Sequence, residues 1–308
     1  MFWKARWKFG YWRFDRAVRG IQDTLPMPVV PGRCTIVSMV APRDMWMYLV
    51  AMKAFYRRIG GGKLVAIVHP DTPPAGPDML ARHFPGIEIL SHEDLDTGAC
   101  QRGGTWERLV HIIDRTDRGE YVIQMDADVM PVGPDISEVL ECIEHRTAFT
   151  MADHFKIVPV RQSAEFASGL AGNYVGNVAE QMMDGLPNAE SLRYVRGSSG
   201  FAGFAPGGFP RHRLEEFHGQ MEKLIGRERW REWGTEQCGS NFAVANTPGA
   251  VTLPYPGYCS FHPGGERDKV KMYHFIGSFR FDEGRFVQLA RDEIAALKAG
   301  ATLQPQAA

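Results

Sequence analysis

A regular alternation of β-type runs with helical patterns constrains the fold of this chain more than any other feature of its sequence. Short apolar runs with β character cover residues 35–40, 63–68, 87–90 and 121–125. Segments with helical spacing of apolar residues lie between them, over 45–56, 77–84 and 105–113. Strands that alternate with helices are typical of βαβ units, in which a mainly parallel sheet is buried on both faces. The alternation therefore predicts an α/β fold with a mainly parallel central sheet flanked by helices.

The strand predicted over 121–125 ends in two carboxylates, Asp126 and Asp128, which are separated by one residue. Residues two apart in extended backbone point to the same side, and ligands of parallel sheets bind at the carboxyl ends of strands. Two oxygen donors in this place suit Mg²⁺ or Mn²⁺ bridged to phosphates. The alternative is that the two acids only end the strand and begin a turn.

The alternation weakens after residue 135. Helices are predicted over 136–143, 211–225 and 227–233, a strand over 148–151, and irregular structure over 153–195. Gly and Pro crowd the segments 197–210 and 248–265, which predicts turns and mobile loops there.

Composition excludes several classes of protein. The 308 residues include 35 Lys and Arg against 36 Asp and Glu, a net charge of −1, whereas duplex-DNA binders carry a basic excess. No stretch reaches the roughly 18 apolar residues of a membrane span. Five scattered cysteines without a C-x-x-C pair disfavour a disulfide framework or structural zinc site. We expect a cytoplasmic protein with reduced thiols and no nucleic-acid partner.

The first 21 residues differ from the rest of the chain. Residues 1–20 hold six basic side chains against Asp15 alone, a local charge of +5. Apolar residues at helical spacing form a stripe there: Trp3, Trp7, Tyr11, Phe14, Val18 and Ile21. A basic amphipathic helix of this kind can lie peripherally on an anionic membrane, which for a cytoplasmic protein would be the inner face of that membrane. Alternatively, it packs its stripe on its own domain or on a partner chain.

Pro26, Pro28 and Pro31 follow this segment and predict a stiff linker. The expected organisation is a helix with its Pro-rich linker over 1–31, one main domain over 32–300, and a frayed tail over 301–308. Charge recurs through residues 4–19 without an apolar core segment, so we do not expect a secretory signal.

Several segments, in order, carry a family resemblance. Residues 106–109 bear an arginine on a predicted helix, 121–132 contain Asp-Ala-Asp, and 135–140 begin the next helix. Arg-Gly-Ser-Ser-Gly-Phe at 196–201, Glu-Gln-Cys-Gly-Ser-Asn at 236–241, and His-Phe-Ile-Gly at 274–277 followed by Arg280 come after them. This series, spanning about 34–282, resembles the GT-A-fold glycosyltransferases, and family 8 most closely.

Departures from the family pattern mark a divergent relative. Ser198 stands for Asn, Glu236 for Asp and Arg280 for Lys, while Phe281 and Asp282 stand where Pro-Trp is usual. Since Ser198 and Glu236 would touch the sugar, the identity of the donor does not carry over from the family.

The resemblance implies a metal-dependent glycosyltransferase with one GT-A-like catalytic domain. It implies a nucleoside-diphosphate-sugar donor, expected to be a UDP-sugar, and an unknown glycan, lipid-linked or protein acceptor, in surface glycan synthesis for example. Asp128 and His274 would ligate Mn²⁺ or Mg²⁺ directly, and Asp126 would contact the metal or the ribose. The implied donor-binding residues are Val40, Ala41, Pro42, Arg108, Asp126, Ser199, Gly200, Gly277 and Arg280.

The implied catalytic residues are Glu236 and Gln237, facing the donor sugar. Glu236 or Asp153 would be the general base of an inverting enzyme, and Gln237 would lie near the anomeric carbon of a retaining one. Structural alternatives stay open: His274 as a buried, hydrogen-bonded histidine, Arg108 in a surface salt bridge, and Arg280 as a solvated arginine.

Other interpretations of the same sequence are weaker. Haloacid-dehalogenase-type phosphatases need Thr or Val where Met130 stands, and sugar nucleotidyltransferases need a basic glycine-rich loop that 41–44 lacks. A non-catalytic carbohydrate- or membrane-binding protein on a degenerate GT-A fold is the alternative function. Residues 262–269 are either a lid or a mobile loop, and 153–195 are expected to build the acceptor site.

Overall fold

The computed structural model describes residues 2–300, so the tail predicted over 301–308 lies outside the described residues. The α-helices are α1 Phe2–Val18, α2 Met45–Ile59, α3 Ala75–His83, α4 Trp106–Asp117, α5 Ser137–Glu144, α6 Val160–Ser168, α7 Val175–Met182, α8 Arg211–Ile225, α9 Arg227–Trp230, α10 Thr235–Ala245 and α11 Arg285–Lys298. The strands are β1 Thr35–Val40, β2 Lys63–Val68, β3 Glu88–Ser91, β4 Val122–Met125, β5 Val129–Pro131, β6 Phe149–Met151, β7 Val158–Pro159, β8 Arg193–Tyr194, β9 Ser198–Phe204, β10 Val251–Thr252, β11 Tyr258–Ser260 and β12 Met272–His274.

The chain forms two compact units. The first unit contains residues up to 93, 125–140 and those from 254 onward, and the second contains 94–124 and 141–253. Seven strands make up the main sheet, with β1, β2 and β3 side by side in the first unit and β10, β6, β9 and β4 in succession in the second. The predicted α/β class with a mainly parallel central sheet flanked by helices is confirmed.

Parallel pairing in the first unit follows the predicted βαβ pattern. β1 pairs with β2 in the register Thr35↔Lys63 to Val40↔Val68, and β2 pairs with β3 in the same direction. Helix α2 connects β1 and β2 and is capped by Gly60, whose φ of +79° suits the left-handed C-terminal cap. The amide of Gly60 donates to the carbonyl oxygen of Tyr56 at 3.0 Å, which closes the last turn.

A small second sheet in the first unit places residues far apart in sequence side by side. Its order is β11-β12-β5. β12 runs antiparallel to β5, so that His274 lies opposite Val129, and β11 runs parallel to β12. Because Val129 directly follows Asp128, this register places Asp128 close to His274.

The second unit corrects two sequence predictions. Residues 153–195, predicted to be irregular, contain α6, α7 and the antiparallel pair β7–β8. The segment 197–210, predicted to form turns and mobile loops, contains β9, whose residues after Ser198 are all buried. A Cβ at Gly203 would lie only 2.4 Å from the Phe149 ring, so glycine here serves close strand packing rather than a turn.

Helix α1 packs its predicted apolar stripe within the first unit. Phe14, Val18 and Ile21 are at most 1% exposed, and the ring of Phe281 lies 5.6 Å from Trp7 and 6.1 Å from Tyr11 between ring centroids. The side chain of Trp3 lies outside the described part of the structure. The stripe is therefore used for packing on the chain itself, and the separation of 1–31 from a single domain over 32–300 stays a prediction.

Between residues 2 and 300, no helix combines the length and apolar character that crossing a bilayer requires.

Candidate active site

The two sequence-predicted carboxylates follow a buried strand at its carboxyl end. All four residues of β4 are buried, and Asp126 comes directly after it. The hydroxyl of Ser38 in β1 donates to the carbonyl oxygen of Met125 at 2.7 Å. The end of β1 at Val40 and the Asp-Ala-Asp turn therefore lie near each other in the first unit.

His274 joins these carboxylates through the pairing of β12 with β5. The amide of Phe275 donates to the carbonyl oxygen of Asp128 at 2.9 Å. Nε2 of His274 then lies 3.3 Å from Oδ1 of Asp128 and 4.0 Å from Oδ2 of Asp126. One potential ligand atom from each of the three residues falls within 4.8 Å of the other two.

Charge, more than burial, sets the protonation of Asp128, which is 4% exposed. Burial alone would raise the pKa of Asp128, but the charges of Arg280 and His274 outweigh burial and hold that pKa at about 2. Burial would lower the pKa of His274, but the Asp128 carboxylate outweighs it and raises that pKa. Asp128 is thus firmly ionised.

Arg280 pairs with the same carboxylate. Its guanidinium contacts Oδ2 of Asp128, and its Nε donates to the carbonyl oxygen of Phe275 at 3.0 Å. The preceding turn begins at Gly277, whose φ of +47° is a left-handed conformation that favours glycine. Arg280 is therefore held beside the acidic cluster and is not a freely solvated arginine.

Asp44 is an acidic residue whose pKa is affected by Arg280 and Asp128 and which belongs to no predicted site. Ala41 is extended, Pro42–Asp44 form one 3₁₀ turn, and α2 follows at Met45. Burial raises the pKa of Asp44, Arg280 and Arg43 oppose that rise, and the Asp128 charge adds to it. The sequence did indicate this residue in one way: it lies just after the end of β1, and such sheets bind ligands at the carboxyl ends of their strands.

Two carboxylates and one imidazole fit a divalent cation. Oδ1 of Asp128 faces His274 while Oδ2 faces Arg280, so the two oxygens have separate neighbours. Carboxylate oxygens suit Mg²⁺ and Mn²⁺, and a neutral imidazole is a further ligand for divalent metals. The residues that could hold a metal are therefore Asp126, Asp128 and His274.

A second set of predicted residues meets inside the second unit. Glu236 and Arg108, each 2% exposed, form an ion pair with 3.4 Å between Oε1 and Nη2. Gln124 donates from Nε2 to Oε1 of Glu236 at 2.8 Å and to the carbonyl oxygen of Ser199 at 2.6 Å. Arg108 is thus part of a buried polar network, not a surface salt bridge.

The remaining predicted residues of the second unit are close in sequence to members of this network. The amide of Gly200 donates to the hydroxyl of Ser198 at 3.1 Å, and Gln237 is half-buried near the start of α10. Nδ2 of Asn241 donates to the carbonyl oxygen of Gly197 at 2.9 Å. Asp153 is half-buried with a φ of +47°.

The loop 262–269 is tied to the turn before α11. The amide of Gly264 donates to Oε1 of Glu283 at 2.8 Å, and Arg267 pairs with the other oxygen of the same carboxylate. Glu283 is therefore an anchor for this loop that the sequence did not indicate.

Neither a protein-family model nor a curated protein matches the chain. Among solved structures, the apo bifunctional glycosyltransferase WbbM is similar, with 13% identity and a TM-score of 0.49 over 89% of this chain and 53% of WbbM. Galactosyltransferase LgtC in complex with donor and acceptor sugar analogues has 11% identity and a TM-score of 0.48, over 84% and 95% of the two chains.

Mouse xyloside xylosyltransferase 1, in its apo form, has 11% identity and a TM-score of 0.46, over 78% of this chain and 97% of that one. This chain spans about half the length of WbbM. At such low identity, an assignment of function rests on this chain's own side chains.

Proposed function

We propose that this chain is a metal-dependent glycosyltransferase of the GT-A type, which moves a sugar from a nucleoside-diphosphate-sugar, a UDP-sugar first of all, to a glycan, lipid-linked or protein acceptor. The observation that carries the proposal is the convergence of Asp126, Asp128 and His274 to within 4.8 Å at the carboxyl end of β4. An arginine beside this cluster adds a group that binds phosphate well.

The predicted site residues of the first unit would together hold the donor. Asp126, Asp128 and His274 would hold the cation, and the backbone after β1, at Val40, Ala41 and Pro42, would bind the base and ribose. When bound, the cation supplies Lewis-acid stabilisation of the diphosphate leaving group. Arg280 presents its planar guanidinium to a phosphate oxygen, and Gly277 permits the turn that carries it.

The second unit supports a positioning role for Glu236. Its carboxylate is neutralised by Arg108 and accepts a hydrogen bond from Gln124, so it is poorly placed to accept an acceptor's proton. Half-buried Gln237, next in sequence, is the residue that we propose faces the donor sugar. Arg108, Ser199 and Gly200 would then shape the donor-sugar side through the same network.

The decisive experiment measures release of free nucleoside diphosphate from a panel of nucleotide sugars, with Mn²⁺, with Mg²⁺ and with chelator. We expect slow hydrolysis of at least one donor that needs the metal and stops with chelator. If every donor shows neither turnover nor metal-dependent binding, the catalytic proposal is wrong, and the non-catalytic alternative on a degenerate fold takes its place.

Replacing Arg280 by Ala should separate donor binding from metal binding. A charge-assisted hydrogen bond contributes about 1.5–3 kcal/mol, so KM for the donor should rise by roughly 10- to 100-fold. The affinity for Mn²⁺ should not fall, because Asp128 then loses a competing cation. Donor titrations and Mn²⁺ binding measure the two effects.

The matched control is Arg291→Ala, which removes an exposed arginine of α11 and should change neither quantity. Weaker Mn²⁺ binding in Arg280→Ala, with KM unchanged, would contradict the phosphate role.

A further inference from the structure

Helix α1 has an outward face that its packing does not use. Phe9 and Trp12 are 59% and 54% exposed, although the stripe on the other side of the helix is buried. Phe9, Trp12, Arg13 and Arg16 follow the spacing i, i+3, i+4, i+7, which places them along one face. An exposed pair of large aromatic side chains on one helical face is unusual unless that face meets a partner.

The two aromatic rings form one small platform. Their centroids lie 6.0 Å apart with the ring planes 23° from parallel. The guanidinium of Arg13 lies 5.9 Å from the Phe9 centroid, and that of Arg16 lies 5.8 Å from the Trp12 centroid. Each aromatic group is thus paired with a cation, an arrangement in which rings can enter an apolar layer while charges stay at its polar edge.

The charges around the two aromatic rings indicate the charge of the partner surface. Lys8, Arg13 and Arg16 are exposed. The one acidic residue of the segment, Asp15, is bound by Arg19 with 2.8 Å between Oδ2 and Nη2, and Arg6 pairs with Asp282 at 3.1 Å. Three cations therefore flank the platform, and they complement an anionic surface.

We infer that this outward face of α1, through Phe9, Trp12, Arg13 and Arg16, docks the protein peripherally on an anionic lipid bilayer. Aromatic residues with basic neighbours on one face of a helix bind the interface of such bilayers, and anionic headgroups attract each nearby Lys or Arg. This differs from docking through the stripe of Trp7, Tyr11 and Phe14, which packs inward. The inference goes beyond the proposed function and does not depend on it.

The test is co-sedimentation of the full chain with vesicles of phosphatidylcholine alone or with 30% phosphatidylglycerol (a composition chosen for the assay). We expect pelleting with the anionic vesicles only, weakened by salt because surface charges are screened. Phe9→Ser with Trp12→Ser should weaken binding by about tenfold or more, since the buried apolar area is lost. Arg13→Glu with Arg16→Glu should abolish it.

Trp233→Ser is the matched control for lipid binding, because Trp233 is 73% exposed but lies in the second unit. It should pellet as the unaltered chain does. The four substituted residues of α1 lie outside its buried stripe, so thermal unfolding should show each variant folded. Equal pelleting with neutral vesicles, full binding by the Phe9/Trp12 variant, or no binding by the unaltered chain would each overturn the inference.

Discussion

Asp128→Asn should strongly reduce metal-dependent release of nucleoside diphosphate while leaving the protein folded. The substitution keeps the shape of the side chain but removes the charge that faces both His274 and Arg280. Lewis-acid stabilisation by a cation amounts to several kcal/mol, and about 1.4 kcal/mol corresponds to tenfold in rate. Turnover should therefore fall by roughly 10²- to 10³-fold, with a parallel loss of Mn²⁺ affinity.

Asp135→Asn is the matched control, because Asp135 is an aspartate of the same unit that pairs instead with Lys271, at 2.7 Å. It should retain full turnover. Thermal unfolding would confirm that both variants are folded. Should Asp128→Asn turn over donor at the original rate, the metal assignment is incorrect even if the enzyme is a glycosyltransferase.

Glu236→Ala should destabilise the protein by about 3–5 kcal/mol, the cost of leaving a buried charge without its partner. Arg108 would lose the carboxylate that lies 3.4 Å away, and Gln124 would lose an acceptor at 2.8 Å. Glu236→Gln keeps one acceptor oxygen, so its cost should be smaller, roughly 1–3 kcal/mol. Urea unfolding of the three proteins measures both free-energy differences.

Glu232→Ala provides the comparison, since the side chain of Glu232 is 45% exposed and pairs with Arg229 on the surface. Such a pair contributes at most about 1 kcal/mol. The assignment of Glu236 as a positioning residue also predicts that Glu236→Gln keeps measurable turnover. A variant that is as stable as the original chain but lacks all turnover would instead make Glu236 a direct participant in the chemistry.

Local patterns were sufficient to predict the first half of the fold. β1 and β2 have the predicted bounds, and helices stand close to each predicted position up to α5. The patterns succeed here because parallel strands buried on both faces read as short apolar runs. They fail over 197–210, where Ser, Gly and Ala of β9 look like turn residues until Phe149 is placed against Gly203.

The candidate site divides in the same way. Asp126 and Asp128 are separated by one residue and follow a buried strand, so the sequence alone placed both at the end of that strand. The sequence motif included His274 and Arg280, but their contacts with Asp128 depend on the pairing of β12 with β5. Asp44 and Glu283 belong to no motif, and their surroundings appear only once the chain is folded.

The sequence by itself determined the α/β class and the acidic end of β4, since both follow from the periodicity of neighbouring residues. It also determined that the N-terminal segment is a basic amphipathic helix. Only the tertiary structure decided which face of that helix is covered, because the stripe found Phe281 as its partner and left Phe9 and Trp12 outside. Burial and the pairing of charges depend on residues distant in the chain, and no local pattern encodes those distances.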